Sequence, residues 1–252
     1  MVTKLMKHEL IALFRVVIFP AATMLLLAVL FRISLIGEIR MQILLGTFYG
    51  FALTATMLVC FAMGVMRFSK SFFSGEGYMT LSLPVTASQL IWAKLLTALL
   101  TMLFGVVVCL LSTLVFLIGV DPAVLESIGR FFESVGANLA SVISSEPVIV
   151  IEMILLMIVG IPAALLEFYF VISVGQMFTT RNRKGMTAVI YLVGFFIMGM
   201  ISTFLTQPVE SVAIYVSVHL AIWILILLQA AIDVACFLGV RYILTHKVNL
   251  VA

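Results

Sequence analysis

The sequence predicts an all-α membrane protein, a single domain of six transmembrane helices with both termini in the cytoplasm. Three observations carry that expectation. Of the 252 residues, 64% are hydrophobic and only 10% are charged, whereas an ordinary soluble domain carries about 25% charged residues. Apolar side chains so abundant along the whole chain exceed what one soluble core can hide, so lipid is the solvent that suits them. The apolar runs, such as AATMLLLAVL and VVVCLLSTLVFLIGV, are unbroken, which excludes the alternating strands of a membrane barrel. They are also long enough, because a hydrocarbon core of about 30 Å takes roughly 20 helical residues to cross. A helix satisfies its own backbone groups, as lipid requires.

Residues 1–15, MVTKLMKHELIALFR, read as a short interfacial helix on the cytoplasmic side, feeding a first span over about 16–36. That span follows Lys4, Lys7 and Arg15 as a secretory signal would. It runs into Arg32 without a small-residue cleavage site, so it is expected to be retained. The remaining spans are expected over about 43–66, 92–120, 148–178, 186–206 and 212–240. Pro20, Pro84, Pro122, Pro147 and Pro208 fall at or near segment edges, where a missing backbone donor disrupts least. Pro162 lies deep in the fourth span and predicts a kink or tilt there.

Lys and Arg set the orientation. Lys4, Lys7, Arg15, Arg67, Lys70, Lys94, Arg181, Arg183, Lys184, Arg241 and Lys247 collect on one side, against Arg32, Arg40 and Arg130 on the other. That bias places both termini and the loops 67–91 and 179–185 inside. The net charge of +3 therefore reflects insertion and not nucleic-acid binding. Outside, between the third and fourth spans, Val124, Ile128, Phe131, Val135, Leu139 and Val142 recur every three or four residues, with Glu126, Arg130, Glu133 and Asn138 mostly between them. This is the period of an amphipathic helix, expected along the outer interface, capping the bundle, or serving only as a linker.

Motifs for catalysis are missing. His8-Glu9 starts like HExxH, but Ala12 stands where the second histidine belongs. Gly75-Glu76-Gly77 supplies two glycines of a dinucleotide fingerprint without the third. No GxxxxGK[ST] phosphate loop occurs. His8, His219 and His246 are far apart, and Cys60, Cys109 and Cys236 sit in apolar runs without metal-ligand spacing, as buried apolar residues do. Three acids lie in or at the mouths of spans. Glu152 is near the external start of the fourth, where headgroups are its expected surroundings. Glu167 is about 21 Å along a helix from Arg181, near mid-membrane, and Asp233 about 12 Å from Arg241. A charge at a span centre costs on the order of 3 kcal/mol, so such residues face a cavity or a partner. Glu167 and Asp233 are accordingly candidates for a substrate or proton path, with helix packing as the structural alternative.

The cytoplasmic stretch FSKSFFSGEGYMTLSLP, residues 68–84, is too polar to cross lipid. Phe68, Phe72 and Phe73 fall near one face of a short helix, which Gly75 and Gly77 break before Pro84 fixes a turn. The next span is entered through Gln89, Trp92 and Lys94, an aromatic and a cation suited to the interface. A helix presenting Phe side chains with Glu76 is suited to docking another protein; the alternative is a loop with its Phe residues in lipid.

The stretch GEGYMTLSLPVTASQLIWAKLL resembles a signature of small bacterial permease subunits of ABC exporters, of the type-2 ABC permease group. The matching positions are Gly75, Glu76, Gly77, Tyr78, Thr80, Leu83, Pro84, Val85, Thr86, Gln89, Ala93 and Lys94. The resemblance implies that the loop, with Phe68, Phe72, Phe73, Gly75, Glu76, Gly77 and Tyr78, is a coupling element docking into a separate ATP-binding subunit. It further implies a second permease chain, the same or paralogous, and a place in the bacterial plasma membrane. This chain would bind no cofactor and have no ATPase site of its own, ATP and Mg belonging to the partner. Better-known exporters of this group carry a re-entrant external segment between the last two spans; here that connection is only about TQPVES. The expected cargo is amphipathic or peptide-like. The alternatives are a proton-coupled secondary transporter using Glu167 and Asp233, and a non-transporting immunity or scaffold protein.

Overall fold

A computed structural model describes residues 2–34, 39–73, 85–117, 122–178 and 217–246, together with 193–194, 196–197, 199–201 and 203–204; side chains at 2–5, 39, 122–125 and 178 are excepted. Among these residues every regular element is a helix: α1 (Val2–Ser34), α2 (Ile39–Phe73), α3 (Ala87–Leu117), α4 (Pro122–Ser145), α5 (Pro147–Phe178) and α6 (Val218–His246). All but α4 are long and apolar enough to cross a membrane, the framework of a multi-pass membrane protein. The fifth predicted span falls largely outside the described residues, although 193–194, 196–197, 199–201 and 203–204 are helical.

Several boundaries differ from expectation. The interfacial helix and first span are one continuous α1, and Pro20 lies inside it. Membrane helices accommodate such a proline, which here withholds the donor that the Val16 carbonyl would otherwise receive; Thr23 Oγ1 donates to the carbonyl of Pro20 itself at 2.9 Å. Residues 67–73 are the last turns of α2 and not a separate short helix. No glycine or proline interrupts MRFSKSFF, so nothing stops the helix before Phe73. The start of α3 is fixed by a reciprocal cap. Thr86 N–H donates to Gln89 Oε1 at 3.1 Å, and Gln89 N–H donates to Thr86 Oγ1 at 3.4 Å. Ser217 caps α6 in part, its Oγ accepting from Leu220 N–H at 3.3 Å.

The chain divides into two compact units, Met1–Gly64 with Leu96–Ser141, and Val65–Leu95 with Val142–Ala252. In the first, α1, α2 and α3 run up, down and up. Phe116 stacks between Phe31 and Tyr49, with ring centroids 4.0 Å and 4.3 Å apart. Further along, Met24 meets Thr56 and Cys109, and Phe14 packs edge-on to Phe104 at 4.7 Å. The Tyr49 hydroxyl lies 2.8 Å from Ser112 Oγ and 3.1 Å from Thr113 Oγ1, so a buried polar group is satisfied across the α2–α3 seam.

In the second unit α5 and α6 lie side by side and parallel. His219 near the start of α6 meets Glu152 near the start of α5, and Gly239 sits against Phe170 further along both. Gly194 likewise touches α5, at Val171. Small residues let helix backbones approach closely in lipid.

The closest approach in the first unit is at Gly105, where a Cβ would lie 2.8 Å from Cys60 Sγ; a Cβ on Gly50 meets nothing within 4 Å. Gly105→Ala is therefore expected to destabilise by about 1–3 kcal/mol, whereas Gly50→Ala should be neutral or stabilising by up to about 1 kcal/mol. All three cysteines are free and buried, so thermal melts in detergent read by a thiol-reactive dye measure both. Indistinguishable melts would refute the close contact.

Candidate functional site

Three polar or aromatic constellations stand out in the second unit, two at nearly one level of α5 and the third near its start. The first is the root of the predicted docking loop. Phe68 and Phe72 are fully buried. Phe68 stacks flat on Tyr169 of α5, ring centroids 4.0 Å apart at 8°, and lies 5.0 Å from Phe72. Phe73 is half-buried beside them, 6.3 Å from Phe68. Phe68 and Phe72 are therefore presented neither to a partner nor to lipid, while Phe73 keeps part of its surface: the end of α2 leans its aromatic face on α5. Gly75, Glu76, Gly77 and Tyr78 lie outside the described residues.

Lys94 also departs from expectation. It is 3% exposed and does not reach the interface; its Nζ donates to Ser71 Oγ at 2.6 Å. A buried ammonium needs acceptors, and this one ties the last turn of α2 to the second turn of α3. Trp92 on the neighbouring face is half-exposed and tilts against Phe237 of α6 at 5.7 Å. The described residues on either side of 74–84 are thus held, those before it by an aromatic stack and those after it by a buried cation and a helix cap.

The second constellation brings the two predicted intramembrane acids together. Glu167 on α5 and Asp233 on α6 are both half-buried and close enough to act on each other electrostatically. Gln229 stands between them. Its Nε2 donates to Asp233 Oδ1 at 3.2 Å, and it lies near enough to Glu167 to act on it. Gln229 and Asp233 are four residues apart on α6 and so share a face. That spacing, a glutamine one turn before an acid in an apolar run, was the available signal for Gln229. Such a site can hold a proton, or a cation stripped of water.

Sequence reasoning missed the third constellation. The Glu152 carboxyl is 2% exposed, and its Oε2 lies 2.9 Å from His219 Nδ1; it does not sit in headgroups. The other ring nitrogen, Nε2, lies 3.8 Å from Glu146 Oε2. Only an imidazolium donates from both nitrogens, whereas the neutral ring has one proton to give. Because each nitrogen addresses a different carboxylate, the three side chains do not enclose one point. No group of three His, Cys, Asp or Glu able to hold a metal occurs among the described residues.

No protein-family model, curated protein or solved structure matches the chain.

His219→Ala should leave Glu152 buried without this donor and cost about 1–3 kcal/mol. Adding Glu152→Gln should recover part of the loss, because the amide brings donors of its own and no longer depends on the imidazole. A double-mutant cycle of melting temperatures separates the pair energy. Strict additivity would show that the two side chains do not depend on each other.

Proposed function

We propose that this chain is the transmembrane permease subunit of an ATP-driven ABC exporter in the bacterial plasma membrane. It works with a separate ATP-binding subunit, which carries ATP and Mg, and with a second permease chain. The observation that carries the reading is the anchoring of segment 74–84, whose sequence resembles the docking signature of such permeases. A loop that passes force must be stiff at both roots, and here Phe68, Phe72, Lys94 and the Thr86–Gln89 cap supply that stiffness. Phe68 bears on Tyr169, two residues from Glu167 on α5. Residues two apart on a helix point to nearly opposite sides, so α5 is a wall with the loop root on one face and the carboxyl pair on the other. Displacement of the loop by closing ATPase subunits would reach the Glu167–Asp233 pair through one rigid helix.

The parallel run of α5 and α6 supports six crossings. A chain leaving the end of α5 must return to the side where α5 began before α6 starts, and the predicted span at about 186–206 is the segment available for it. The exported compound is of the amphipathic or peptide-like class.

The meeting of Glu167 and Asp233 beside Gln229, which bonds Asp233, favours a second reading, a proton-coupled carrier with no ATPase. Affinity purification of the tagged chain in mild detergent, with mass spectrometry of what accompanies it, tests the first reading. A co-purifying soluble protein with a phosphate loop is expected from the wild type and should be lost with Glu76→Lys. Phe72→Ala tests the fold and not docking: it should cost about 3–5 kcal/mol of stability as a buried-aromatic truncation. If the chain purifies alone while other membrane complexes survive, the exporter reading falls. Transport that is abolished by an uncoupler and by Glu167→Gln, yet survives ATP depletion, would then establish the carrier.

A further inference from the structure

The amphipathic helix α4 has no role in either reading, and its surface is unlike that of the spans. From Glu126 to Ser145 every side chain is exposed except the half-buried Ile128. Projected at about 100° per residue, Ile128, Phe132, Val135, Leu139 and Val142 fall on one arc, with Phe131 and Ile143 at its shoulders. That arc is about 120° wide, the width of an apolar face seated in a continuous medium and not of a narrow coiled-coil seam. Phe131 and Phe132, 62% and 66% exposed, pack edge-on at 5.7 Å and widen it further.

The opposite face is weakly polar. Ser127, Ser134 and Ser141 recur along it, and its charges are only Glu126, Arg130 and Glu133. Arg130 Nη2 pairs with Glu126 Oε1 at 3.1 Å, both side chains well exposed. The flanks carry Gly129 and Gly136, which cost about 1 kcal/mol each in a helix. They offer a second helix no charges to pair with, so the sequence lacks the flanking code that selects a coiled-coil partner.

What lies against the apolar arc follows from chain continuity. α4 begins four residues after α3 ends, and only Glu146 separates it from α5. The backbone passes directly between α4 and α5: Glu146 N–H closes α4 on the Val142 carbonyl at 2.8 Å, and Ile149 N–H opens α5 on the Glu146 carbonyl at 3.1 Å. Exposed apolar surface continues from Val142 and Ile143 into Val148 and Ile151 of α5. Joined closely in sequence to two helices long and apolar enough to cross a bilayer, α4 has the bilayer surface within reach.

We infer that α4 lies in that surface as a lipid-packing sensor, inserting its apolar arc between loosely packed lipids and largely ignoring their charge. Binding of an interfacial helix draws on buried apolar area and on attraction to anionic headgroups. With two acids and one arginine, α4 has no attraction of the second kind. All of its hold comes from insertion of Phe131, Phe132, Leu139 and Ile143, which requires gaps between headgroups. Tight packing closes those gaps, and adding anionic lipid does nothing to replace them. The inference does not rest on the exporter reading.

The test uses the full chain carrying Leu139→Cys on the apolar arc or Ala137→Cys on the polar face, each labelled with an environment-sensitive fluorophore. The unsubstituted chain, whose native cysteines are buried, gives the background. Three vesicle types are compared: unsaturated phosphatidylcholine, saturated phosphatidylcholine with cholesterol, and unsaturated phosphatidylcholine with phosphatidylserine. Position 139 should show blue-shifted emission and quenching by a lipid-borne quencher in the first, lose most of both in the second, and gain nothing in the third. Added salt should change none of this, and position 137 should read as water throughout. Phe131→Ser with Phe132→Ser, both exposed and so compatible with folding, should abolish the shift at 139. Water-like emission at 139 in unsaturated vesicles overturns the inference, as does equal insertion in loose and tight bilayers. A salt-sensitive shift seen only with phosphatidylserine overturns it in favour of electrostatic binding. Efficient cross-linking of Leu139→Cys between copies, with no lipid quenching, makes a second copy of the chain the occupant.

Discussion

Lipid does not drive apolar helices together, because an acyl chain solvates a leucine about as well as another leucine does. Everything that gives this chain a tertiary structure must therefore come from contacts that lipid does not supply. In the first unit these are the Phe31–Phe116–Tyr49 stack, the hydroxyl contacts of Tyr49, and the approach of α3 to Cys60 at Gly105. In the second they are the Glu152–His219 pair, the Gln229–Asp233 bond, the Phe68–Tyr169 stack, and Gly239 against Phe170. Leu26, Phe51, Leu58, Leu110 and Leu227, by contrast, point outward.

The same constraint explains why the loop root is built of aromatics and a buried lysine. A helix that ends near water can be held by its cap alone, but a cap fixes one turn and leaves the rest of the helix free to slide against its neighbours. Phe68 stacked on Tyr169 and Lys94 on Ser71 each join two different helices at the base of the loop. Removing either would leave α2, α3 or α5 with fewer fixed points where lipid supplies none. The inward turn of Phe68 and Phe72 removes them from any docking surface and leaves them as anchors of the end of α2, a place from which they could still stiffen the root of the proposed coupling segment.

The helical class and the apolar spans were legible because lipid demands long unbroken apolar runs, and such runs survive in a single sequence. The amphipathic period of α4 was legible for the same reason: its apolar arc is uninterrupted. What sequence could not give was the partner of each polar residue. Glu167 and Asp233 were identifiable as costly, but their meeting beside Gln229 depends on α5 and α6 running parallel, which separates them by more than sixty residues. Glu152 read as a headgroup residue because nothing near it in sequence is a base; His219 reaches it from 67 residues away. Lys94 read as an interfacial cation because lysine usually snorkels, and only the fold puts Ser71 beside it. The boundary errors at Pro20 and Phe73 came from treating charge and proline as ends of helices, whereas these helices run on past the apolar stretch.

The α5–α6 seam carries its two polar stations about 22 Å apart along α5, Glu152 with His219 at one level and Glu167 with Gln229 and Asp233 at the other. Two parallel helices joined only by apolar contacts are free to slip by a turn; two polar stations forbid it, since any slip breaks both at once. Pro162 lies between them inside α5 and withholds the backbone donor that the carbonyl of Ile158 would otherwise receive. The helix is therefore weakest between its two fixed points. A bend there would let one station part from α6 while the other stays closed, the one-end-at-a-time opening that the proposed exporter and the proton-coupled alternative would both require.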